Sequence, residues 1–156
     1  MQIFIAADHA GYELKRELKE FLKAEGYTVH DEGFFEFNED DDYPDVVTIV
    51  AKQVGSDPAG SRGIVIGGSG QGEAMCANRV RGVRAAVLYS YHEDIVRFSR
   101  VHNDANVLAL GARFISAEDS KRALQLWLTT DASEDERYQR RNLKLDGAVA
   151  MTENEF

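Results

Sequence analysis

The stretch GIVIGGSGQGEAMCANR (63–79) sets an acid, Glu73, and the chain's single cysteine, Cys76, one helical turn apart behind Gly67, Gly68, Gly70 and Gly72. It opens as a buried strand, turns on glycines and resumes as a helix. Glycines let backbone amides approach a ligand closely, and amides at the start of a helix attract an oxyanion or a phosphate. A carboxylate at the mouth of such a loop has the chemistry of a general base, with the amides stabilising the charge that proton abstraction creates. The same acid also complements the helix dipole, an effect of only about 0.3–1 kcal/mol. The terminus would keep Glu73 ionised, and burial under a substrate would raise its basicity. The loop is no Walker motif, because no G-K-[ST] follows. It is no dinucleotide fingerprint either, because the position three after Gly70 is Glu73 and the loop follows the third strand. As a bare pattern it also fits a tight structural turn. Cys76 lies about 4.5 Å further along the helix axis, where it packs beneath the loop.

Other residues with usable chemistry cluster at three places. Asp8 and His9 form an acid–histidine pair after the first apolar run, and His102 precedes Asn103 in RVHNDANVLALGAR. Arg137, Arg140 and Arg141 fall together in DERYQRRNLK, either a solvated helix face or an anion site. His30 and His92 have no such company and read as surface or core residues. The acidic NEDDD (38–42) lacks the spacing of a calcium loop and reads as a solvated loop before a helix N-terminus.

The elements that must position these groups follow from the apolar pattern. IFIAA (3–7), YTVHD (27–31), GIVIGG (63–68), VRAAVLY (83–89) and NVLALGA (106–112) are short continuous runs, as in strands buried on both faces. Leu14, Leu18, Phe21 and Leu22 recur at helical spacing, with Gly26 at a C-cap position. Pro44 suits the first turn of a second helix, and further helical segments cover about 72–80, 92–102, 117–129 and 133–146. Strict strand–helix alternation predicts a parallel sheet with helices on both faces. No repeat or linker divides the 156 residues, so a single domain over 1–156 is expected, with a C-terminal helical arm from about 133.

A net charge of −9 argues against nucleic acid and anionic membranes as partners, since a phosphate backbone is held by a basic face. An anionic small substrate remains compatible, given a local arginine cluster. One cysteine allows no internal disulfide and no C-x-x-C pair. MQIFIA is too short for a signal peptide and no apolar run approaches ~18 residues, so a soluble cytoplasmic protein is expected.

Taken together, ADHAG, DYPD, GGSGQGEAMCANR, HNDANVLALGAR and RYQRR resemble the type B ribose-5-phosphate isomerases, a family that also holds galactose- and allose-6-phosphate isomerases. The resemblance spans nearly the whole chain in order. It implies a Rossmann-like three-layer α/β/α sandwich around a five-stranded parallel sheet, no metal or organic cofactor, and a homodimer or tetramer with shared active sites. One branch of the family uses a cysteine base at the position of Gly67. The other uses a glutamate at the position of Glu73, and this chain resembles the glutamate branch. By the same resemblance, Glu73 moves a proton between C1 and C2 through an enediolate, and His102 assists ring opening. Gly68, Ser69, Gly70, Gln71 and Gly72 hold the oxyanion, Asp8, His9 and Asn103 contact hydroxyls or phosphate, and Arg113, Arg137 and Arg141 bind phosphate. Tyr138 departs from the pattern, standing where close relatives often carry histidine.

The expected reaction is ribose 5-phosphate to ribulose 5-phosphate. The alternatives are a six-carbon substrate (allose or galactose 6-phosphate) or a non-catalytic sugar-phosphate-binding regulator, since fold alone decides nothing. A structural module would explain neither the loop nor the arginines. Topology adds one expectation. Asp8 and the glycine loop follow strands, whereas His102 and Asn103 precede the last strand, so the two groups should lie at opposite sheet edges.

Overall fold

The computed structural model describes residues 1–153, with side chains through 148; residues 154–156, the end of the expected domain, lie outside the described residues. Five parallel strands, β1 (Gln2–Ala7), β2 (Thr28–Asp31), β3 (Ser61–Gly67), β4 (Ala85–Leu88) and β5 (Val107–Gly111), form one sheet in the order β2-β1-β3-β5-β4. The helices are α1 (Tyr12–Ala24), α2 (Tyr43–Ser56), α3 (Gln71–Ala77), α4 (Glu93–Val101), α5 (Ala117–Thr129) and α6 (Glu136–Glu153). The alternation predicted the parallel sheet, and the whole is the Rossmann-like α/β/α architecture that the resemblance implied.

Strand side chains alternate between two cores, one on each face of the sheet. Ile3, Ile5, Ile64, Ile66, Leu108 and Leu110 pack with Leu18 and Leu22 of α1, Val96 of α4 and Leu124 and Trp127 of α5. On the other face Phe4, Ala6, Val65, Val107 and Ala109 pack with Val46, Val47, Val50 and Val54 of α2 and Ala74 and Ala77 of α3. Because both faces are covered, the strands read as continuous apolar runs.

Local signals act where the sequence puts them. Gly26 (φ +88°) ends α1: its amide donates to Lys23 O at 3.0 Å and that of Tyr27 to Leu22 O at 3.1 Å, the paired bonds of a left-handed cap. Pro44 sits in the first turn of α2, where its missing N–H costs nothing. After β2 the chain is tied to α1. The buried Lys15 donates to Asp31 Oδ1 at 2.8 Å and to Phe34 O at 2.6 Å, while Lys19 donates to Asp31 Oδ2 at 2.8 Å. Burial pushes the Asp31 carboxyl up, but the two lysines outweigh it and hold the group below its usual range.

The sheet order reverses between β1 and β3, because β2 lies on the outer side of β1 and β3 on the other. Ligands of open parallel sheets bind in the crevice beyond the carboxyl ends of strands at such a switch point. The first and third strands end in Asp8-His9 and in the glycine loop.

Candidate active site

β1 stops at Asp8, whose Oδ1 accepts from Gly11 N at 3.0 Å and caps the short turn His9–Gly11. β3 stops at Gly67, and the loop that follows is pinned to the end of β5: Ala112 N donates to Gly67 O at 2.8 Å and Arg113 N to Gly68 O at 3.1 Å. Gly70 takes φ +76° with its Cα facing the backbone of Ala109 and Leu110, a place and conformation closed to a side chain. Among the described residues the amides of Gly68, Ser69 and Gly70 donate to no backbone or side-chain acceptor, and Gln71 N reaches Ser69 Oγ only at 3.4 Å.

Glu73 is 4% exposed, and its carboxyl lies against the end of β3. A Cβ added at Gly67 would collide with Glu73 Oε1, Cδ and Oε2. Gly67 therefore makes room for the acid, so a side chain at 67 and a carboxyl delivered from 73 compete for one space. Burial is the main reason that the Glu73 pKa is raised; the Asp8 charge adds to it, and the Glu73 backbone amide opposes it only in part. Burial within the protein itself therefore raises the basicity of Glu73, and the start of this seven-residue helix offsets it only in part.

Asp8, His9, Tyr43, Gly68, Ser69, Gly72, Glu73, Arg113 and Phe114 line one open cleft of about 420 Å³. The Arg113 guanidinium lies over Gly68, where an added Cβ would stand 3.3 Å from Cζ. The cleft thus holds a buried carboxyl, free amides and a cation side by side. A larger depression of about 740 Å³ between α1 and α5 is lined by Glu13, Arg16, Glu17, Lys19, Glu20, Phe21 and Lys121. Its ion pairs are solvated, as between Arg16 and Glu13 at 3.0 Å with side chains 61% and 76% exposed, and pairs of this kind contribute about 0–1 kcal/mol.

Seven of the sequence-derived candidates meet in the cleft: Asp8, His9, Gly68, Ser69, Gly72, Glu73 and Arg113. The side-chain positions of Gly70 and Gln71 do not line it; Gly70 is buried and Gln71 exposed. His102, Asn103, Arg137 and Arg141 lie elsewhere. His102 caps the C-terminus of α4, before β5 begins, whereas Glu73 follows the end of β3, so the length of the parallel strands separates them, roughly 17 Å for five strand residues.

The His102 ring is stacked between Phe98 (4.5 Å, 9°) and Tyr138 (4.4 Å, 14°). Its carbonyl accepts from Asn142 Nδ2 of α6 at 3.3 Å. Arg137 donates from Nη2 to the Tyr138 hydroxyl at 2.8 Å, and Arg141 is exposed. The turn after His102 is held just as firmly. Arg84 donates to the carbonyls of Asn103 and Asp104 at 3.1 Å and to Asp104 Oδ2 at 2.7 Å, and it pairs with Asp146 of α6 at 3.0 Å. These bonds hold Asp104 at φ +43°, a left-handed conformation that side chains seldom adopt.

Sequence reasoning passed over Tyr43, Phe114 and Asp41. In the sequence Tyr43 stands out only as a member of DYPD, yet its ring packs on Gly72, where an added Cβ would stand 2.8 Å from Cζ. NEDDD is not simply a solvated loop: the Asp41 side chain is 1% exposed and its Oδ1 lies 2.8 Å from His9 Nδ1. Asp8, His9 and Asp41 offer ligand-type atoms within 4.8 Å of one another, the grouping nearest to a metal set among the described residues. One of the two His9 ring nitrogens, Nδ1, is engaged with Asp41.

Cys76 does not line the cleft. It faces α2, with Sγ 3.6 Å from Thr48 Oγ1. Cys76→Ala is therefore expected to retain most activity, and iodoacetamide to inactivate the native protein slowly if at all. Rapid inactivation that ligand protects against would contradict a glutamate-based site.

Residues 3–145 match the model of the ribose/galactose isomerase family. A ribose-5-phosphate isomerase B from Mycobacterium leprae is 41% identical over 90% of this chain and 85% of its own length. A probable ribose-5-phosphate isomerase B from Mycoplasma genitalium is 40% identical over 89% of this chain and 90% of its own. Among solved structures, ribose-5-phosphate isomerase B of Clostridium thermocellum superposes with a TM-score of 0.89 at 41% identity, covering 97% of this chain and 99% of that one. The Mycoplasma genitalium enzyme with bound ribulose-5-phosphate also gives 0.89, at 38% identity over 94% and 95%. With this family model matched over most of its length, the chain belongs to the ribose/galactose isomerase family, as a relative of its type B ribose-5-phosphate isomerases.

Proposed function

We propose that this chain interconverts ribose 5-phosphate and ribulose 5-phosphate by proton transfer between C2 and C1. The observation that carries the reading is Glu73, a carboxyl buried against Gly67 with its basicity raised, beside free loop amides and Arg113. On the open-chain aldose, the Glu73 carboxylate takes the C2 proton and the electron pair becomes the C1–C2 double bond. The negative charge then develops on O1, where the amides of Gly68, Ser69 and Gly70 receive it. Removing one such donor typically costs about 10²–10³ in turnover. Glu73 then returns its proton to C1, while the O2 proton passes to O1 as the C2 carbonyl forms. Every atom of the aldose is kept in the ketose, so the carboxyl and the amides suffice for these transfers. A non-catalytic regulator would have no use for a buried carboxyl kept basic.

The remaining groups are supplied by a second chain. His102, Asn103, Arg137 and Arg141 stand at the far edge of the sheet from their own Glu73, so a homodimer, alone or within a tetramer, completes each site with the partner's ring-opening histidine and phosphate-binding arginines. The chain then works as one isomerase domain with α6 as an arm that carries these groups, in the cytoplasmic pentose phosphate branch of carbohydrate metabolism. Among the described residues no helix is long and apolar enough to cross a membrane.

A turnover assay over a panel of aldose phosphates tests the proposal. Ribose 5-phosphate is expected to give the highest kcat/KM. A clear preference for allose 6-phosphate or galactose 6-phosphate would overturn the substrate assignment, and the stacking of Tyr138 on His102 would be the first place to look for its cause.

A further inference from the structure

His9 is held by a residue far away in sequence. Asp41 comes from the loop between β2 and α2, and its Oδ1 lies 2.8 Å from His9 Nδ1. The Asp41 side chain is 1% exposed, and its other oxygen, Oδ2, is buried with no partner. Among the described residues His9 is its one cationic partner. A buried carboxylate is costly unless it is paired with a charge, so the arrangement favours the imidazolium over the neutral ring. Phe37, from the same loop, sets its ring edge against His9 (6.5 Å, 88°) and against Tyr12 (6.2 Å). The loop is itself fastened to α1, through Lys15 to Phe34 O at 2.6 Å and the Tyr12 hydroxyl to Phe35 O at 2.9 Å.

We propose that Asp41 is a positioning residue for His9: it engages Nδ1, keeps the ring cationic, and leaves Nε2–H as the donor that takes the anionic end of the substrate in the cleft. The proposal rests on the reading of the cleft as a sugar-phosphate site. The charged and titratable groups around His9 are Asp8 at the end of β1, Asp41 on the loop, Arg113 after β5, and Glu73 and Tyr43 across the cleft. The hydrogen bond that His9 donates to Asp41 is the largest influence and raises the His9 pKa; burial opposes it, the charges of Asp8 and Asp41 add to it, and Arg113 opposes it again. A histidine with a raised pKa keeps its charge below that value and loses it as pH rises through it. Ligand affinity should follow the same curve.

The experiment compares the wild-type full-length protein with Asp41→Asn and Asp41→Glu. The His9 ring is titrated by NMR, and kcat and KM for ribose 5-phosphate are measured between pH 6 and 9. Wild-type His9 is expected to titrate above the ordinary value of 6.5, and Asp41→Asn to move that midpoint down. In Asp41→Asn, KM should rise roughly tenfold near pH 7.5, the scale of a lost charge-assisted hydrogen bond, with kcat within about threefold. The pH at which KM begins to climb should fall with the His9 midpoint, and Asp41→Glu should restore part of both.

A loop with only a structural role would leave the KM profile on the wild-type curve. That result, or a fall in kcat at constant KM, would overturn the proposal. Wild-type His9 titrating at or below 6.5 would overturn it even if Asp41→Asn did not fold. Inorganic phosphate binding, followed on the His9 resonances, makes the same comparison in a chain without turnover. Absent turnover with roughly tenfold weaker phosphate binding in Asp41→Asn would reject the isomerase reading and keep the anion site.

Discussion

Glu73→Gln is expected to lower turnover of ribose 5-phosphate by ~10²–10⁴-fold or more, the scale of general base catalysis, while calorimetry still detects sugar-phosphate binding. The amide keeps the shape of the side chain and its fit against Gly67, but it cannot accept the C2 proton. The same burial that makes Glu73 a better base carries a cost in stability. The folded state binds the Glu73 proton more tightly than the unfolded chain, so between the two pKa values stability falls as pH rises. Glu73→Gln removes this cost. Its thermal midpoint at neutral pH should match or exceed that of the wild type, a stability gained where function is lost. In the wild type, kcat/KM should fall on acidification at a higher pH than an ordinary glutamate would give, because the base must be ionised to act. Near-normal turnover of the glutamine variant would remove Glu73 from the mechanism.

The sheet and the half of the site attached to it were legible because their signals are local. Apolar runs without polar alternation marked the strands, and Gly26 and Pro44 marked helix ends. The glycine loop gave its chemistry through Glu73, the one residue that fits neither nucleotide motif. The separation of His102 from Glu73 needed only strand direction. What escaped was set by tertiary contact. Asp41 reaches His9 across 32 positions, and nothing in NEDDD distinguishes the buried aspartate from its solvated neighbours. The raised basicity of Glu73 depends on how deeply the end of β3 is covered, which no residue spacing states. Tyr43 is visible in DYPD beside Pro44, but its packing on Gly72 appears only once α2 and α3 lie side by side.

The central claim is that each active site is assembled from two chains, and subunit mixing tests it most directly. Glu73→Gln and His102→Asn are each expected to be nearly inactive alone, the first lacking the proposed base and the second the proposed ring-opening group. His102 is held between Phe98 and Tyr138 on a turn locked by Arg84, so it cannot swing to its own Glu73. In an equal mixture refolded together, half of the dimers pair one variant with the other. Each such dimer has one site with both defects and one with neither, so about a quarter of wild-type activity should return. If mass spectrometry confirms the mixed dimers and activity stays at the level of the separate variants, Glu73 and His102 do not work together across the interface, and the shared-site account is wrong.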